Sequence, residues 1–381
     1  MSIDDATFTA LETMATSGVP PTARLDLFDV GSGPFLDVVE HELFDRLVSQ
    51  GAATCRFVEG PYGSGKTHLL RLLTQRALDR GMAVLSAELS ADLSVESWDA
   101  VTRFVLQRMQ FRDGDRVVTG LPAVLRAIGE RDIDLERVYG MPAPHPSFRN
   151  AMLYGLRADT LHMEAVSLLK RYLEGQRVAA GRLRSSGIRD VKDPLSWRNA
   201  EHVLNTALMT LYGLGVPGTV LAFDETERTL VTYGYTASRK VQIAANLMRR
   251  MIDACPTGRV FGALVVFAVL PDFLERSAMA YPALGQRLRT RLTVDQTPWR
   301  SPVLRVDDVG IVSDPCAFLE QAAARFSAIP NGLGDAGRRS LQLELVRAGE
   351  AVLENHAGSG YRRPLMKQLA AVTLARMEGF E

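Results

Sequence analysis

The fold of this chain is decided by one stretch, Gly60-Pro61-Tyr62-Gly63-Ser64-Gly65-Lys66-Thr67. It matches the pattern G-x-x-x-x-G-K-[ST] without interruption. The glycines let the backbone turn tightly and present several N–H groups to one anion. In this pattern the lysine, here Lys66, reaches the β- and γ-phosphates of a nucleotide, and the hydroxyl of Thr67 is a ligand of Mg²⁺. The stretch therefore predicts a nucleotide site.

The flanking sequence favours this interpretation over a glycine-rich turn between two ordinary elements. Residues Thr54 to Glu59 are typical of a short strand, and His68 to Leu78 have the apolar spacing of a helix with one buried face. Strand, loop and helix thus follow one another in the required order. That order points the loop amides and the positive end of the helix dipole at the phosphates.

Composition limits the class of protein. The chain has 381 residues, enough for one large or two moderate domains, and its 44 basic and 44 acidic residues cancel. A net charge of zero leaves nucleic-acid binding open. Three scattered cysteines suggest neither a disulfide framework nor a zinc site. We expect no signal peptide and no membrane partner, and therefore a cytoplasmic protein.

A second apolar run, Thr219 to Phe223, ends in two acids, Asp224 and Glu225. Two carboxylates at an ordinary strand end are one interpretation of this pattern. In a chain that already carries the phosphate loop, the pattern favours a partner acidic motif. We then expect Asp224 to order the Mg²⁺ shell and Glu225 to polarise the attacking water.

The order of predicted elements indicates an α/β fold with a parallel-sheet core. Residues Met82 to Leu89 read as a second buried strand, joined to the first by the helix after the loop. Residues Val260 to Leu270 read as a third core strand after the acidic one, as in P-loop NTPases of the additional-strand (AAA+/ASCE-like) type. The tip of this strand, Leu270-Pro271-Asp272, lacks the usual polar residue that senses the γ-phosphate.

The pattern predicts three segments, the second of which contains an insertion. Residues 1–34 contain breaker clusters and read as a loosely structured lead-in around a short element. Residues 35–310 form the core, beginning with a helix at Phe35 to Val48, and residues 111–215 within it lack convincing strands and read as an α-helical insertion. Residues 311–381 read as a small C-terminal helical domain.

Arginines are candidates for phosphate contacts in two places. The insertion carries four of them close together: Arg177, Arg182, Arg184 and Arg189. They can touch phosphates of DNA or a partner, although a solvated face is the commoner reason for such a run. The last predicted strand is Pro302 to Val306. Just before it, Arg287 or Arg291 can stabilise transferring phosphate charge in a neighbouring subunit of a homo-oligomer. Pairing with surface carboxylates is the alternative there.

With these residues assembled, the chain resembles the AAA+-like P-loop ATPases of the bacteriophage-exclusion (BREX) defence systems, the BREX ATP-binding protein family. The resemblance covers most of the chain. It rests on five stretches: Arg56 to His68, Tyr172-Leu173-Glu174-Gly175, Asp224-Glu225-Thr226-Glu227, Tyr281 to Arg287, and Gly358 to Arg363.

The resemblance implies roles that the residue patterns alone do not. The nucleotide is expected to contact the loop from Gly60 to His68, and also Arg362 or Arg363 on a C-terminal lid domain, as a second sensor does. The resemblance also implies ATP-driven work on DNA, or on a DNA-acting complex of other defence proteins, during phage restriction.

We therefore predict an ATPase in which water attacks directly. Lys66 and the loop hold the phosphates of ATP, Thr67 and Asp224 hold Mg²⁺, and Glu225 activates the water. A nucleotide-gated switch or scaffold that barely hydrolyses ATP is the alternative. A small-molecule kinase is disfavoured, because kinases must exclude water and seldom need a carboxylate poised to activate it.

Overall fold

A computed structural model describes residues 3–88, 97–224, 239–280, 282–288, 301–306, 314–355 and 360–378. The chain is a mixed α/β protein that divides into two compact units. The first unit holds residues 1–38, 58–73 and 294–381, and the second holds residues 39–57 and 74–293. Within the described part of the chain, no helix is both long and apolar enough to cross a membrane.

The first unit begins with a full helix, α1 (Asp5–Ser17). The side chain of its N-cap, Asp4, accepts a hydrogen bond from the backbone N–H of Thr7 at 2.9 Å, and Gly18 ends the helix in the left-handed region with a φ of 63°. The buried residues of α1 are Thr7, Ala10, Leu11 and Met14. The prediction of a loosely structured lead-in is therefore wrong here, because two good caps and a buried stripe hold a regular helix.

The rest of the first unit is mainly the C-terminal helices. These are α14 (Pro315–Ser327), α15 (Asp335–Asn355) and α16 (Arg362–Glu378), and each packs against the other two. Helix α16 also packs against α1. The helices predicted after residue 311 are confirmed.

The helix predicted from Phe35 to Val48 is divided. It consists of α2 (Gly33–Val39), a π-helical segment (Glu40–Asp45) and a short 3₁₀ helix (Val48–Gln50) that ends at Gly51. The apolar spacing was sufficient to predict helical structure, but it does not distinguish helix types with different turns.

The second unit is built on a sheet whose central strands are parallel. In chain order the strands are β1 (Thr54–Glu59), β2 (Ala83–Glu88), β3 (Gln110–Asp113), β4 (Arg116–Thr119), β5 (Thr219–Asp224) and β6 (Ala263–Val269). Their order across the sheet is β4-β3-β2-β5-β6-β1, and β7 (Val303–Arg305) belongs to the first unit. Strand β5 runs parallel to both β2 and β6.

The centre of this sheet is apolar and fully covered. Every residue of β5 and of β6 is buried, as expected for parallel strands with both faces packed. In the register of β5 with β2, Ala83 pairs with Thr219 and Glu88 pairs with Asp224. The carboxyl ends of these two strands therefore lie side by side.

The remaining helices complete the chain order: α3 (Lys66–Asp79), α4 (Trp98–Arg108), α5 (Leu121–Gly129), α6 (Leu135–Gly140), α7 (Pro146–Leu156), α8 (Met163–Leu173), α9 (Ala180–Ser185), α10 (Ala200–Gly213), α11 (Arg239–Ala254), α12 (Pro271–Ala280) and α13 (Pro282–Leu288). Helices α8 and α10 confirm the two helices that the apolar spacing predicts inside the insertion, at Thr160 to Gly175 and at Glu201 to Leu214. The prediction that strands are absent after Phe111 is wrong, because β3 and β4 form an antiparallel hairpin through Gly114 and Asp115. Strands of four residues are too short to show a clear alternation.

Candidate functional site

The phosphate loop follows β1 and leads into α3, as predicted from the sequence. Strand β1 ends at Glu59 and α3 begins at Lys66. Gly63 and Gly65 have φ angles of 77° and 98°, in the region that favours glycine. Two left-handed residues within three positions bend the backbone sharply just before the helix begins.

Lys66 is folded back onto the loop. Its ammonium group donates to the carbonyl oxygen of Gly60 at 2.6 Å and to that of Pro61 at 2.9 Å. The side chain is buried, with 8% of its surface exposed. The charge of Lys66 is therefore held inside the loop that the sequence identifies as the phosphate cradle.

Two features of the loop fit a bound phosphate group. The hydroxyl oxygen of Ser64 is buried and has no hydrogen-bond partner among the residues that the structure describes. A buried polar atom left without a partner costs about 1–3 kcal/mol, so a ligand oxygen there is stabilising. A Cβ placed on Gly65 would meet no atom within 4 Å, which leaves open space at the start of α3. The residues present thus fit the phosphates of ATP.

Arg362, at the start of α16, contacts the loop directly. Its Nη1 atom donates to the backbone carbonyl of Ser64 at 2.6 Å. The guanidinium carbon lies 5.3 Å from the ring centroid of Phe318 and 5.8 Å from that of Tyr361. The side chain is only 5% exposed. Arg362 therefore holds the backbone of the loop, and its predicted contact with nucleotide stays a prediction.

Arg363 also reaches the loop, through Tyr62. It donates to the Tyr62 hydroxyl, and its guanidinium carbon lies 5.5 Å from the centroid of that ring. Its Nη2 atom donates to the carbonyl of Ser17, at the end of α1, at 3.0 Å. Both arginines of the predicted lid thus contact the loop, although the sequence pattern does not indicate by which atoms.

Gly63 packs closely against Gly360. A Cβ on Gly63 would lie 2.8 Å from the carbonyl oxygen of Gly360, closer than real Cβ contacts allow. The same position on Gly65 is open. The two left-handed glycines of the loop therefore differ in their surroundings although their backbone conformations are similar.

This difference predicts different stabilities for two alanine variants without nucleotide. Gly65→Ala adds only the cost of a left-handed alanine, about 1–2 kcal/mol. Gly63→Ala adds a similar cost and also a clash with a backbone oxygen, worth roughly 1–3 kcal/mol more. Thermal and urea unfolding of the two variants measure the difference. Equal destabilisation would contradict the close packing of Gly63 on Gly360.

His68, in the first turn of α3, lies against the N-terminal part of the first unit. Its Nε2 atom is buried without a hydrogen-bond partner among the described residues and is 4.0 Å from Asp29 Oδ1. Asp29 in turn accepts hydrogen bonds from the hydroxyl of Ser32 and from its backbone N–H at 3.3 Å. Burial lowers the pKa of His68 to about 4, although the charge of Asp29 opposes the shift. At neutral pH this imidazole brings no positive charge to the loop.

The lowered pKa of His68 predicts an acid-sensitive stability. Because the unfolded chain takes up the proton near the ordinary pKa of 6.5 and the folded chain only near pKa 4, stability falls as pH drops through that window. The expected loss in the free energy of unfolding is on the order of 3 kcal/mol. Urea unfolding at several pH values should show a shallower fall for His68→Gln. The exposed His202→Gln variant is the control and should retain the slope of the unaltered protein.

Asp224 is the last residue of β5 in the second unit and is 8% exposed. Its neighbour across the strand pair is Glu88, the exposed last residue of β2. Glu88 was not among the residues predicted from the sequence, although an acid at the end of a buried strand is a usable signal. Glu225 lies outside the described residues. No group of three or more potential metal-binding side chains occurs in the described ranges.

Arg287 is paired with a carboxylate in the same unit. Its Nε atom donates to Asp253, and its Nη1 atom donates to the carbonyl of Ala283 at 2.9 Å. Asp253 also accepts from Arg249 at 3.0 Å. This is the arrangement of the carboxylate-pairing alternative, and a role for Arg287 in a neighbouring subunit stays a prediction. Arg291 lies outside the described residues.

Comparison with known proteins gives one match. The family model described as BREX system ATP-binding protein BrxC/D matches residues 5–125 and 157–310, well over half of the chain. No curated protein and no solved structure matches this chain significantly. The matched ranges contain the phosphate loop, β2, β5 and the segment with Arg287. They leave out residues 126–156 and everything after 310.

Proposed function

Because this chain belongs to the BREX system ATP-binding protein BrxC/D family, we propose that it binds and hydrolyses ATP with Mg²⁺ in a phage-defence system. The observation that carries the proposal is the loop: the ammonium of Lys66 is held inside it, and the Ser64 hydroxyl has no partner among the described residues. DNA, or a complex that acts on DNA, is the proposed object of this activity, with other defence proteins as partners.

The proposed mechanism assigns each role to a residue of this chain. Lys66 and the loop N–H groups hold the phosphates, and Arg362 keeps the loop backbone in place through the Ser64 carbonyl. Thr67 and Asp224 would hold Mg²⁺, which neutralises phosphate charge when bound. Glu225 takes the proton of the attacking water. The water attacks the γ-phosphate in line, without a phosphorylated protein.

We also propose that the core is of the additional-strand, AAA+-like type. The supporting observation is that β6 lies between β5 and β1 in the sheet. In this interpretation residues 35–310 are the ATPase core, with a helical insertion within 111–215 that begins after β4, and residues 311–381 are the lid. Arg287 or Arg291 would act in a neighbouring subunit. The cytoplasmic location stays a prediction.

The test is phosphate release from ATP, measured with Mg²⁺ and with a chelator, while nucleotide binding is measured on the same sample. Mg²⁺-dependent release supports the proposal, and the absence of ATP binding would overturn it. A DNA titration in the same assay tests whether DNA is coupled to hydrolysis, and mass by light scattering gives the oligomeric state.

A nucleotide-gated switch is the second candidate, and one observation favours it. Arg362 and Arg363 donate hydrogen bonds to Ser64 and Tyr62, which connect α16 directly to the loop. A switch needs binding without rapid turnover. ATP binding with negligible phosphate release, in the presence and absence of DNA, would select this function over the ATPase.

A further inference from the structure

The helical insertion contains a cavity that the proposed ATP site does not use. Its volume is about 690 Å³, within the usual range for small-ligand sites. It lies among α6, α7 and the segment that follows α9. The side chains that matter here are Arg131, Tyr139, Asn150, Tyr154, Arg157 and Arg189. Much of the lining belongs to residues 126–156, which the family model does not match.

The cavity carries positive charge that is not fully paired. Arg157 and Arg189 are exposed and form no ion pair with the residues that the structure describes. Arg131 is different, because its guanidinium lies 3.4 Å from Asp113 and 4.9 Å from the ring centroid of Phe111. One acid, Asp190, is among the described lining residues. Two guanidinium groups are thus available to an anion, and their planar forks match the oxygens of a phosphate.

Two aromatic rings line the cavity together with these arginines. Tyr139 is 59% exposed, which is unusual for so large a ring, and the Arg149 guanidinium carbon lies 5.6 Å from its centroid. The hydroxyl of Tyr154 accepts the backbone N–H of Arg189 at 3.2 Å, which fixes that part of the wall. An exposed ring beside phosphate-binding arginines is the combination that holds an unpaired base and its backbone.

We propose that this cavity binds a nucleotide unit of a single-stranded nucleic acid. Arg157 and Arg189 hold the phosphate, and Tyr139 stacks on the base. A single strand is favoured over a duplex because a base must be unpaired to stack on a protein ring. None of the described lining residues belongs to the phosphate loop, and the inference does not rest on ATP hydrolysis.

The first test measures binding of a labelled oligothymidylate to the full chain, without ATP, by fluorescence anisotropy at several salt concentrations. The affinity of the double variant Arg157→Ala/Arg189→Ala should be at least about tenfold lower, and the slope of log K against log salt should decrease by about 0.7, the value for one phosphate of a single strand. Arg338→Ala/Arg339→Ala removes the same charge from exposed positions on α15, outside the lining, and should change affinity less than twofold. Equal losses in both double variants would overturn the proposal.

The second test separates stacking from charge. Tyr139→Ala should weaken binding by roughly tenfold, whereas Tyr139→Phe should retain it, because stacking needs the ring and not the hydroxyl. The affinity of the double variant Arg157→Lys/Arg189→Lys should lie between that of the unaltered protein and that of Arg157→Ala/Arg189→Ala. Failure of the unaltered chain to bind the single strand would also overturn the proposal. Tighter binding of the matching duplex, with the same dependence on these residues, would refute the single-strand assignment.

Discussion

Lys66→Ala is expected to abolish ATP binding and, with it, phosphate release. The variant removes a buried ammonium group whose hydrogen bonds to charged phosphates are each worth about 1.5–3 kcal/mol. Loss of two such bonds weakens affinity by roughly a hundredfold or more. Isothermal titration calorimetry with ATP and Mg²⁺ measures the binding loss, and a phosphate-release assay measures the activity.

The control for Lys66→Ala is the same substitution at a lysine outside the loop. Lys170 is exposed and lies 3.9 Å from Glu174, so Lys170→Ala should leave ATP binding unchanged. Lys66→Ala also removes the bonds to the carbonyls of Gly60 and Pro61, so a fall of about 1–2 kcal/mol in stability is expected in the absence of nucleotide. ATP binding that survives in Lys66→Ala would show that the nucleotide lies elsewhere.

Glu225→Gln is expected to retain ATP binding and to lose turnover. The amide keeps the size of the side chain but cannot accept the proton of the attacking water, which lowers the hydrolysis rate by roughly 10²–10⁴-fold. Phosphate release and calorimetry on the same preparation separate the two effects. Equal loss of binding and turnover would assign Glu225 to the cation or to the fold instead.

Glu88 supplies the matched comparison. Glu88 is the cross-strand neighbour of Asp224, and Asp224 directly precedes Glu225 in the sequence. Like Asp224, Glu88 carries a carboxylate at the end of a strand. If Glu225 is the base, Glu88→Gln should change turnover by less than about threefold, well below the general-base effect. A large loss in Glu88→Gln with normal turnover in Glu225→Gln would transfer the role to Glu88.

The parts of this fold that the sequence predicted are those with local signals. The left-handed conformations of Gly63 and Gly65 follow from the loop pattern itself. Strand β5 was recognisable because all six of its residues are buried, which requires a continuous apolar run. Helix α1 was expected only as a short element because the glycine and proline clusters after it indicate irregular structure, and the β3–β4 hairpin was missed because its strands are short.

Contacts between residues far apart in the sequence could not be predicted from local sequence patterns. Arg362 and Ser64 are 298 positions apart, so no spacing rule links them, and only the family resemblance brought Arg362 into consideration. The burial of His68 could not be predicted from the sequence for the same reason, because it depends on a residue far away in the chain. Its neighbour Asp29 belongs to a segment 39 positions earlier, and a motif that ends in histidine does not indicate what covers the ring.

The close approach of Gly63 to Gly360 has a consequence for truncated forms of this protein. A chain that ended at residue 310, where the family match stops, would retain every letter of the phosphate-binding motif. It would lack Gly360, Arg362 and Arg363, whose backbone and side chains lie against the loop. A gene truncated there would still be recognised by its motif while encoding an incomplete loop environment. The complete loop environment therefore requires both stretches, although they are far apart in sequence.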